Sequence, residues 1–310
     1  MMDPITVKEL PPQSVLNNIK KEFATSQNVA SQLVVKINSF GDFNMDGIRI
    51  LERFHRLKRL RAEVSFEKKW IKTVFKKNPF EEEVTHALLN RWNLESSYLA
   101  SYGNYRITSQ ELSLLCGERY LSDEILNFLG HKFCERANDE HQACLNILLP
   151  SFLSSGNIIN SVVSKICVSH DMASVVQIFL PDHMLNKCHW GLAIFSVREC
   201  KVFFDDGHHY PVPEELKRNA TDIIDIIYQT TSNDNFHPSK WCQIERFKVP
   251  MPDQPSSSRG TTTGCGSCGV AVICAIRDIC NGVTNEFTWS YKDTPRLRAE
   301  LILEVLDLFT

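Results

Sequence analysis

The chain lacks several features that would assign it to a specialised class of protein. Its 310 residues include no apolar run close to the roughly 18 residues that a membrane helix needs. Its 11 cysteines are odd in number and do not have the spacing of a disulfide framework. The first residues, MMDPITVKELPPQS, lack the charged-then-apolar pattern of a secretory signal. We therefore expect reduced thiols in a nuclear or cytoplasmic protein without a membrane partner.

The chain also lacks a strong excess of either charge. Its formal net charge is -3, so the molecule as a whole is not typical of a nucleic-acid-binding protein. The sequence is 43% hydrophobic and 23% charged, which is ordinary for a globular protein. This length and composition allow a substantial hydrophobic core in one or two domains.

Two regions differ in sequence pattern. Residues 1–104 are predicted to be helical and basic, and within them IRILERFHRLKRLRAEV places apolar residues at helical spacing: Ile50, Phe54, Leu57, Leu60 and Val64. Arginines and lysines fill much of the remaining surface of this segment. We interpret it as the solvated face of a helical domain that localises the protein or recruits a substrate. A partner or nucleic-acid surface is the alternative.

Residues 105–310 mix helices with a short run of strands. A helix is expected after Ser122, another at Cys268, and a last one near Thr294, which is a candidate cap. The segments HWGLAIFSV and KVFFDD are predicted strands, and the short charged turn between them indicates a hairpin. This pattern is typical of an α+β domain.

Three residue types that catalysis by a cysteine requires occur at the ends of these elements. Cys268 begins an apolar helix, where the helix dipole favours a thiolate. His189 opens one strand of the hairpin, and Asp205 and Asp206 end the other. Because antiparallel neighbours bring these two strand ends together, a carboxylate there can orient the imidazole. The order His, Asp, Cys supplies a base, an orienting acid and a nucleophile.

Four motifs in this order resemble the SUMO proteases of the Ulp/SENP family, which are distantly related to the adenovirus protease. YLSDEILNF is similar to a family motif that has Trp-Leu-Asn-Asp, with Tyr120 and Ser122 as departures. HWGLAIF resembles the family's His-Trp strand, and FFDDG resembles its aromatic-aromatic-Asp ending. SCGVAVICAI resembles its Asp-Cys-Gly-Val helix start. The resemblance covers about two thirds of the chain.

The resemblance implies a papain-like cysteine protease fold of the Ulp/SENP type. In such a fold a central short mixed sheet is flanked by helices, and the nucleophile lies at a helix N-terminus. It also implies roles: Cys268 as nucleophile, His189 as general base and Asp205 as the residue that orients it. Trp190 would form one wall of a narrow tunnel for a Gly-Gly tail, with a place in the core as the alternative.

The resemblance leaves a choice between two adjacent aspartates. With Asp205, the residues Phe203 and Phe204 fall where the family has its two hydrophobic residues. Asp205 lies one position short of the usual spacing from His189, which a tighter hairpin turn would explain. Asp206 restores that spacing but leaves a charged residue at a position that is normally apolar. We predict Asp205.

Two departures from the family pattern lie before the nucleophile, and the first affects the oxyanion site. The family has a glutamine six residues before the cysteine, where this chain has Thr262. Gln254, in VPMPDQP, takes that role if the segment after it is an inserted loop, and the backbone amide of Cys268 is the second donor. Ser267 replaces the usual aspartate before the nucleophile.

The resemblance therefore implies a cysteine protease or isopeptidase that needs no cofactor or metal. It would cleave after the Gly-Gly terminus of a ubiquitin-like protein, with SUMO first and NEDD8 or ubiquitin next. A peptidase that processes polyproteins, like the adenovirus enzyme, is one alternative. An inactive module that only binds a ubiquitin-like protein is another.

A metal or redox site is the rival reading of the cysteines. Cys265 and Cys268 form a Cys-x-x-Cys pair, and His208 and His209 follow the aspartates. A structural zinc site usually needs a second such pair, and the sequence has none at regular spacing. A long loop, rather than a strand, precedes the pair, unlike a thioredoxin-type motif.

Overall fold

The structure is a computed structural model that describes residues 10–25, 34–37, 40–89, 98–140, 145–155, 159–184, 188–241, 244–253, 266–283 and 286–308. The chain forms two compact units, residues 1–69 and 70–310. This division falls before the predicted boundary at residue 104, so residues 70–104 belong to the larger unit. The roles assigned to the two regions stay a prediction.

The smaller unit contains two helices and a strand pair within its described residues. These are α1 (Gln13–Thr25), β1 (Val35–Ile37), β2 (Gly41–Phe43) and the first part of α2 (Met45–Val74). A small buried cluster joins them, formed by Leu16, Ile19, Ile37 and Ile48. The predicted helix at Ile50–Val64 is confirmed, but Ile50, Phe54 and Leu57 are exposed.

The larger unit places helices around one sheet. Its helices after the end of α2 are α3 (Glu81–Leu89), α4 (Ser109–Leu112), α5 (Asp123–Glu140), α6 (Ile159–Ser169), α7 (Glu214–Thr231), α8 (Ser267–Cys280) and α9 (Thr294–Val305). Its strands are β3 (Tyr98–Tyr102), β4 (Tyr105–Thr108), β5 (Leu145–Leu148), β6 (Val175–Met184), β7 (His189–Ser196), β8 (Lys201–Asp205) and β9 (Glu245–Arg246). The predicted α+β class is confirmed.

The main sheet has the strand order β5-β6-β7-β8-β9 among the described residues. The β5–β6 and β8–β9 pairs are parallel, and β6–β7 and β7–β8 are antiparallel, so the sheet is mixed as predicted. The predicted hairpin of β7 and β8 is confirmed. Strands β3 and β4 form a separate antiparallel pair.

The sheet is covered on both faces, which explains why every residue of β7 is buried. On one face Trp190, Leu192 and Ile194 join the cluster that contains α5, α8 and α9. On the other face Ala193 and Phe195 join the cluster that contains α6 and α7. A central strand with two buried faces consists of nearly continuous apolar residues, as HWGLAIF does.

The helices at the C-terminal side of the chain begin close to their predicted starts. Helix α8 begins at Ser267, with Gly266 as its N-cap. Helix α9 has Asp293 as N-cap, so the predicted cap, Thr294, lies one residue inside the helix. None of the helices within the described ranges is long and apolar enough to cross a membrane.

Candidate active site

The candidate site lies where β7 begins, β8 ends and α8 begins, a region called here the histidine end. Helix α8 packs on β7, and Cys268 and Trp190 belong to the same buried cluster. His189 is the first residue of β7, and Asp205 is the last residue of β8. The two predicted strand ends meet at one end of the sheet, and Leu121 joins that end to the start of α8: it accepts a hydrogen bond from Trp190 and lies against Gly269.

The strand register decides which aspartate faces His189. Asp205 pairs with Leu192, three residues after the histidine. Because side chains alternate along a strand, Asp205 lies on the face of Leu192 and Trp190, whereas His189 lies on the opposite face. Asp206 lies on the histidine's face. A Cβ on Gly191 would lie 3.3 Å from the Asp206 Cβ, which confirms that these residues adjoin.

His189 makes a hydrogen bond to the backbone of Asp206. Its Nε2 lies 2.7 Å from the backbone oxygen of Asp206 and 3.9 Å from the Oδ2 of the same residue. Since a carbonyl only accepts, Nε2 must carry the proton. In the neutral imidazole Nδ1 is then the basic nitrogen.

The Asp206 carboxylate is buried and partly satisfied by its own turn. Its Oδ1 accepts hydrogen bonds from the backbone nitrogens of His208, at 3.0 Å, and Tyr210, at 3.2 Å. Its Oδ2 has no hydrogen-bond partner within the described part of the chain, although the side chain is only 1% exposed. This buried oxygen is therefore the part of the Asp206 carboxylate that faces the His189 imidazole, 3.9 Å from its Nε2.

Asp205 has a different set of contacts. Its Oδ1 accepts from the backbone nitrogens of Asp206 and Gly207, at 2.7 and 3.1 Å. Its Oδ2 accepts from the backbone nitrogen of Met251 at 2.6 Å. The structure thus places Asp206, not the predicted Asp205, beside His189, because Asp205 points to the other face of the sheet and fastens the turn.

Cys268 occupies the second position of α8 and is 3% exposed. At this position the backbone amides of the first helical turn have no partner within the helix, and the helix dipole is positive. Both effects stabilise a negatively charged sulfur, and the Cys268 amide can also donate to an oxyanion. The predicted placement at a helix N-terminus is confirmed.

Two close approaches fix the start of α8 against residues 118–121. The backbone nitrogen of Gly266 donates to the oxygen of Glu118 at 3.3 Å. A Cβ at Gly266 would lie 2.1 Å from the Arg119 oxygen, so only glycine fits there. A Cβ at Gly269 would lie 3.1 Å from the Leu121 Cβ.

Trp190 is attached to the same segment. Its Nε1 donates to the backbone oxygen of Leu121 at 3.1 Å, and its ring stacks on His183 at a centroid distance of 4.5 Å. Burial lowers the pKa of His183, an effect that Asp123 opposes. The indole is 5% exposed. Its role as a tunnel wall stays a prediction.

Sequence reasoning missed two residues that border the site. The His208 ring lies 4.5 Å from the His189 ring, and the Tyr210 ring lies 6.0 Å from it at 85°. In the sequence, His208 and His209 stand out only as part of the rival metal reading. Both missed residues follow Asp206 in a turn, and the spacing of Asp206 from His189 was the signal that pointed to this turn.

Several predicted residues lie outside the described ranges. They are Gln254, Thr262 and Cys265, so their predicted roles, including the Cys-x-x-Cys alternative, stay predictions. Among the described residues, no group of three or more His, Cys, Asp or Glu side chains is arranged to hold a metal ion.

The fold is that of the Ulp/SENP-type protease domain. The chain is similar to the C-terminal Ulp1 protease domain solved in complex with Smt3, the yeast ortholog of SUMO. That similarity has a TM-score of 0.56 at 18% identity and covers 73% of this chain and 93% of that chain. The catalytic domain of the Ulp1-like SUMO protease of Chaetomium thermophilum matches with a TM-score of 0.55 at 16% identity, over 73% of this chain and 89% of that one.

No protein-family model and no curated protein sequence matches the chain. At these identities the similarity to solved structures establishes the fold, which the four short motifs had indicated.

Proposed function

We propose that this chain is a cysteine peptidase that cleaves the bond after the Gly-Gly terminus of a ubiquitin-like protein. One observation carries the proposal: His189 is hydrogen-bonded to Asp206, and the next residue of its strand, Trp190, is joined through Leu121 to the start of α8, where Cys268 lies. A base, an orienting acid and a thiol at a helix start are the groups that covalent catalysis by cysteine requires. The Ulp/SENP-type fold supports the same reading.

In this proposal Asp206 takes the orienting role that the sequence assigned to Asp205. Two contacts support the change: Asp206 accepts the His189 hydrogen bond through its backbone oxygen, and its buried Oδ2 lies near the same nitrogen. Asp205 holds the turn in which Asp206 lies. Both aspartates thus serve the site, one directly and one through the backbone.

The reaction follows from these positions. His189 Nδ1 takes the thiol proton of Cys268, which leaves a thiolate and an imidazolium that the Asp206 carboxylate stabilises. The sulfur attacks the carbonyl carbon of the terminal glycine, and the imidazolium then protonates the departing amine. Water, deprotonated by the imidazole, hydrolyses the thioester and releases the glycine carboxylate and the thiol.

The negative charge on the carbonyl oxygen needs hydrogen-bond donors during both steps. The Cys268 backbone amide is our first candidate, because it lies at the start of α8. Gln254 is the second. Trp190, fixed through Leu121 beside this helix start, is our candidate wall for a tunnel that admits only glycine residues.

SUMO is the first substrate candidate, with NEDD8 and ubiquitin next. The Ulp1 domain with the similar fold was solved in complex with Smt3, and the Chaetomium protein is described as a SUMO protease. Polyprotein processing and an inactive binding module remain the alternatives. A nuclear or cytoplasmic location, and localisation of the protein or recruitment of substrates by its basic N-terminal region, residues 1–104, belong to the proposal as well.

The test is covalent labelling with a panel of ubiquitin-like proteins that carry a C-terminal thiol-reactive group. The panel contains SUMO, NEDD8 and ubiquitin, each incubated with the full chain and with Cys268→Ala. We expect one panel member to form an adduct with the wild type only. Cys188→Ser is the matched control, because Cys188 is an exposed thiol next to His189 and its removal should leave the adduct intact.

Other results would change the proposal in defined ways. If no panel member reacts while a haloacetamide labels Cys268 quickly near neutral pH, the nucleophile stands and the substrate class is wrong. If panel members bind the wild type and Cys268→Ala equally and none is cleaved, the chain is a binding module. Labelling that survives in Cys268→Ala would reject Cys268 as the nucleophile.

A further inference from the structure

Arg298 is a buried arginine on α9, outside the predicted catalytic group. Its side chain is 0% exposed, and it lies in the middle of a helix that packs on α8. Burying a guanidinium is unfavourable unless hydrogen bonds compensate for its lost hydration. The contacts that provide this compensation therefore indicate what the residue does.

The guanidinium donates to three backbone carbonyl groups, two in residues 114–119 and one at Gly266. Its Nη1 donates to the oxygen of Leu114 at 2.8 Å. Its Nη2 donates to the oxygens of Arg119 and Gly266, each at 2.6 Å. One nitrogen thus bridges the segment that precedes Leu121 and the residue that caps α8.

This bridge lies where the backbone of Gly266 closely approaches that of Arg119. A Cβ at Gly266 would lie 2.1 Å from the Arg119 oxygen, so these two backbone segments are in contact there. Two carbonyl oxygens that point to one place repel each other unless a donor lies between them. The planar fork of arginine can supply several such donors at once, whereas the single nitrogen of lysine cannot reproduce their geometry.

The same bridge connects the start of α8 with β7, the strand that begins with His189. Cys268 follows Gly266 by two residues, and Leu121 follows Arg119 by two residues. Leu121 in turn accepts the hydrogen bond of Trp190, the neighbour of His189 in β7. The segment that Arg298 holds therefore contacts both the helix start that contains Cys268 and the strand that begins with His189.

We propose that Arg298 is a positioning residue that sets the place of the Cys268 sulfur relative to His189. This inference rests on the proposed function, in which the thiol proton passes to the histidine. A displacement of about 1 Å at a reacting group can lower a rate about 10²-fold. Loss of the bridge should therefore slow attack by Cys268 without weakening the binding of a substrate that docks elsewhere.

The experiment compares Arg298→Met, Arg298→Lys and Arg296→Met in a Cys188→Ser background. Arg296 lies on the same helix and its side chain is 58% exposed, so its variant controls for loss of an arginine from α9. Two rates are measured well below the melting temperature of each variant. One is alkylation of Cys268 by a haloacetamide, followed by peptide mass spectrometry, and the other is inactivation by the ubiquitin-like probe.

For Arg298→Met we expect the maximal rate of inactivation by the probe to fall at least about tenfold. The probe concentration that gives half of the maximal rate should stay within about twofold of the wild-type value. The haloacetamide rate should also fall, and Arg296→Met should match the wild type in both assays. Gly266→Ala should reproduce the loss with Arg298 intact, because its Cβ separates the same two backbones. Arg298→Lys should restore only part of the rate.

A purely structural role gives a different result. If Arg298→Met lowers the melting temperature but both rates per folded molecule equal the wild type, the inference is wrong. If Arg298→Met does not fold, the Arg298→Lys rates decide in the same way. Failure of every probe on the wild type would reject the proposed function, and the haloacetamide comparison would still decide the role of Arg298.

Discussion

A buried cysteine lies near each end of α8, and the two differ in what surrounds them. At the histidine end, Cys268 lies in the first turn beside the strand that begins with His189. At the far end, Cys280 lies in the last turn with its sulfur 4.0 Å from that of Cys134 on α5. Both thiols are buried, so neither burial nor residue type distinguishes the candidate nucleophile.

Polar groups at the two ends also differ in how they are paired. At the far end the Asp278 carboxylate accepts from Arg277 Nε at 2.9 Å and from Trp289 Nε1 at 2.8 Å. At the histidine end, one oxygen of Asp206 has no hydrogen-bond partner among the described residues and faces an imidazole. Complete pairing stabilises a fold, whereas a carboxylate oxygen left beside a base is able to assist chemistry.

The largest difference is expected from removing each thiol in turn. Cys268→Ala should lower cleavage of a ubiquitin-like substrate at least about 10³-fold, because no other group can form the thioester. Cys280→Ala should keep the rate within about twofold, since its thiol contacts the Cys134 thiol in the core, at the opposite end of α8 from Cys268. Initial rates on a C-terminally extended precursor measure both. Equal losses from the two variants would contradict a site confined to the histidine end.

A smaller difference should separate the two adjacent aspartates. Asp206→Asn should lower the rate at least about tenfold with little change in melting temperature, because it removes the charge beside His189 and keeps an acceptor for its own turn. Asp205→Asn should cost about 1–3 kcal/mol of unfolding free energy, because an amide nitrogen cannot accept from Met251. Rates and thermal melts of both variants measure this.

The reverse pattern would restore the original prediction. If Asp205→Asn lost most of its activity while fully folded, and Asp206→Asn kept its activity, the orienting acid would be Asp205. The register of β7 and β8 at the histidine end would then differ by one residue from the structure described above.

The smallest effect concerns Cys274 in the middle of α8. Burial raises the pKa of its thiol to about 12, from an ordinary value of 9.0. A raised pKa means that the folded state keeps its proton where the unfolded state loses it. The unfolding free energy should therefore be unaffected below pH 9 and decrease as the pH rises from 9 towards 12.

Urea unfolding at pH 8 and pH 10 measures this dependence, with Cys274→Ala as the comparison. The variant should be less stable at pH 8 because of the cavity, but it should lose less stability between the two values. An identical loss in both proteins would show that the decrease arises from other groups. Native Cys274 should also resist haloacetamides at pH 8, where Cys268 reacts.

Much of the fold could be predicted from local patterns. The continuous apolar residues of HWGLAIF indicate a central strand, and the short charged turn before KVFFDD indicates a hairpin. Both are confirmed. The start of α8 was predicted because a small polar segment precedes a long apolar one. Such signals depend on neighbours in sequence, which is why they were readable without tertiary information.

The choice between Asp205 and Asp206 was not readable in this way. Comparison of residue types favoured Asp205, since it left Phe203 and Phe204 in the expected apolar positions. The register of the hairpin, however, pairs Asp205 with Leu192 and turns its side chain to the other face. A shift by one residue exchanges the faces, so the spacing from His189 was the better signal.

The sequence by itself determined the class of fold, the order of its elements and two of the candidate catalytic residues, His189 and Cys268, because each depends on a local pattern. Only the tertiary structure decided which carboxylate adjoins the histidine and that Arg298 joins Leu114, Arg119 and Gly266. Those contacts connect residues far apart in the chain. They depend on strand register and helix packing, which no single segment encodes.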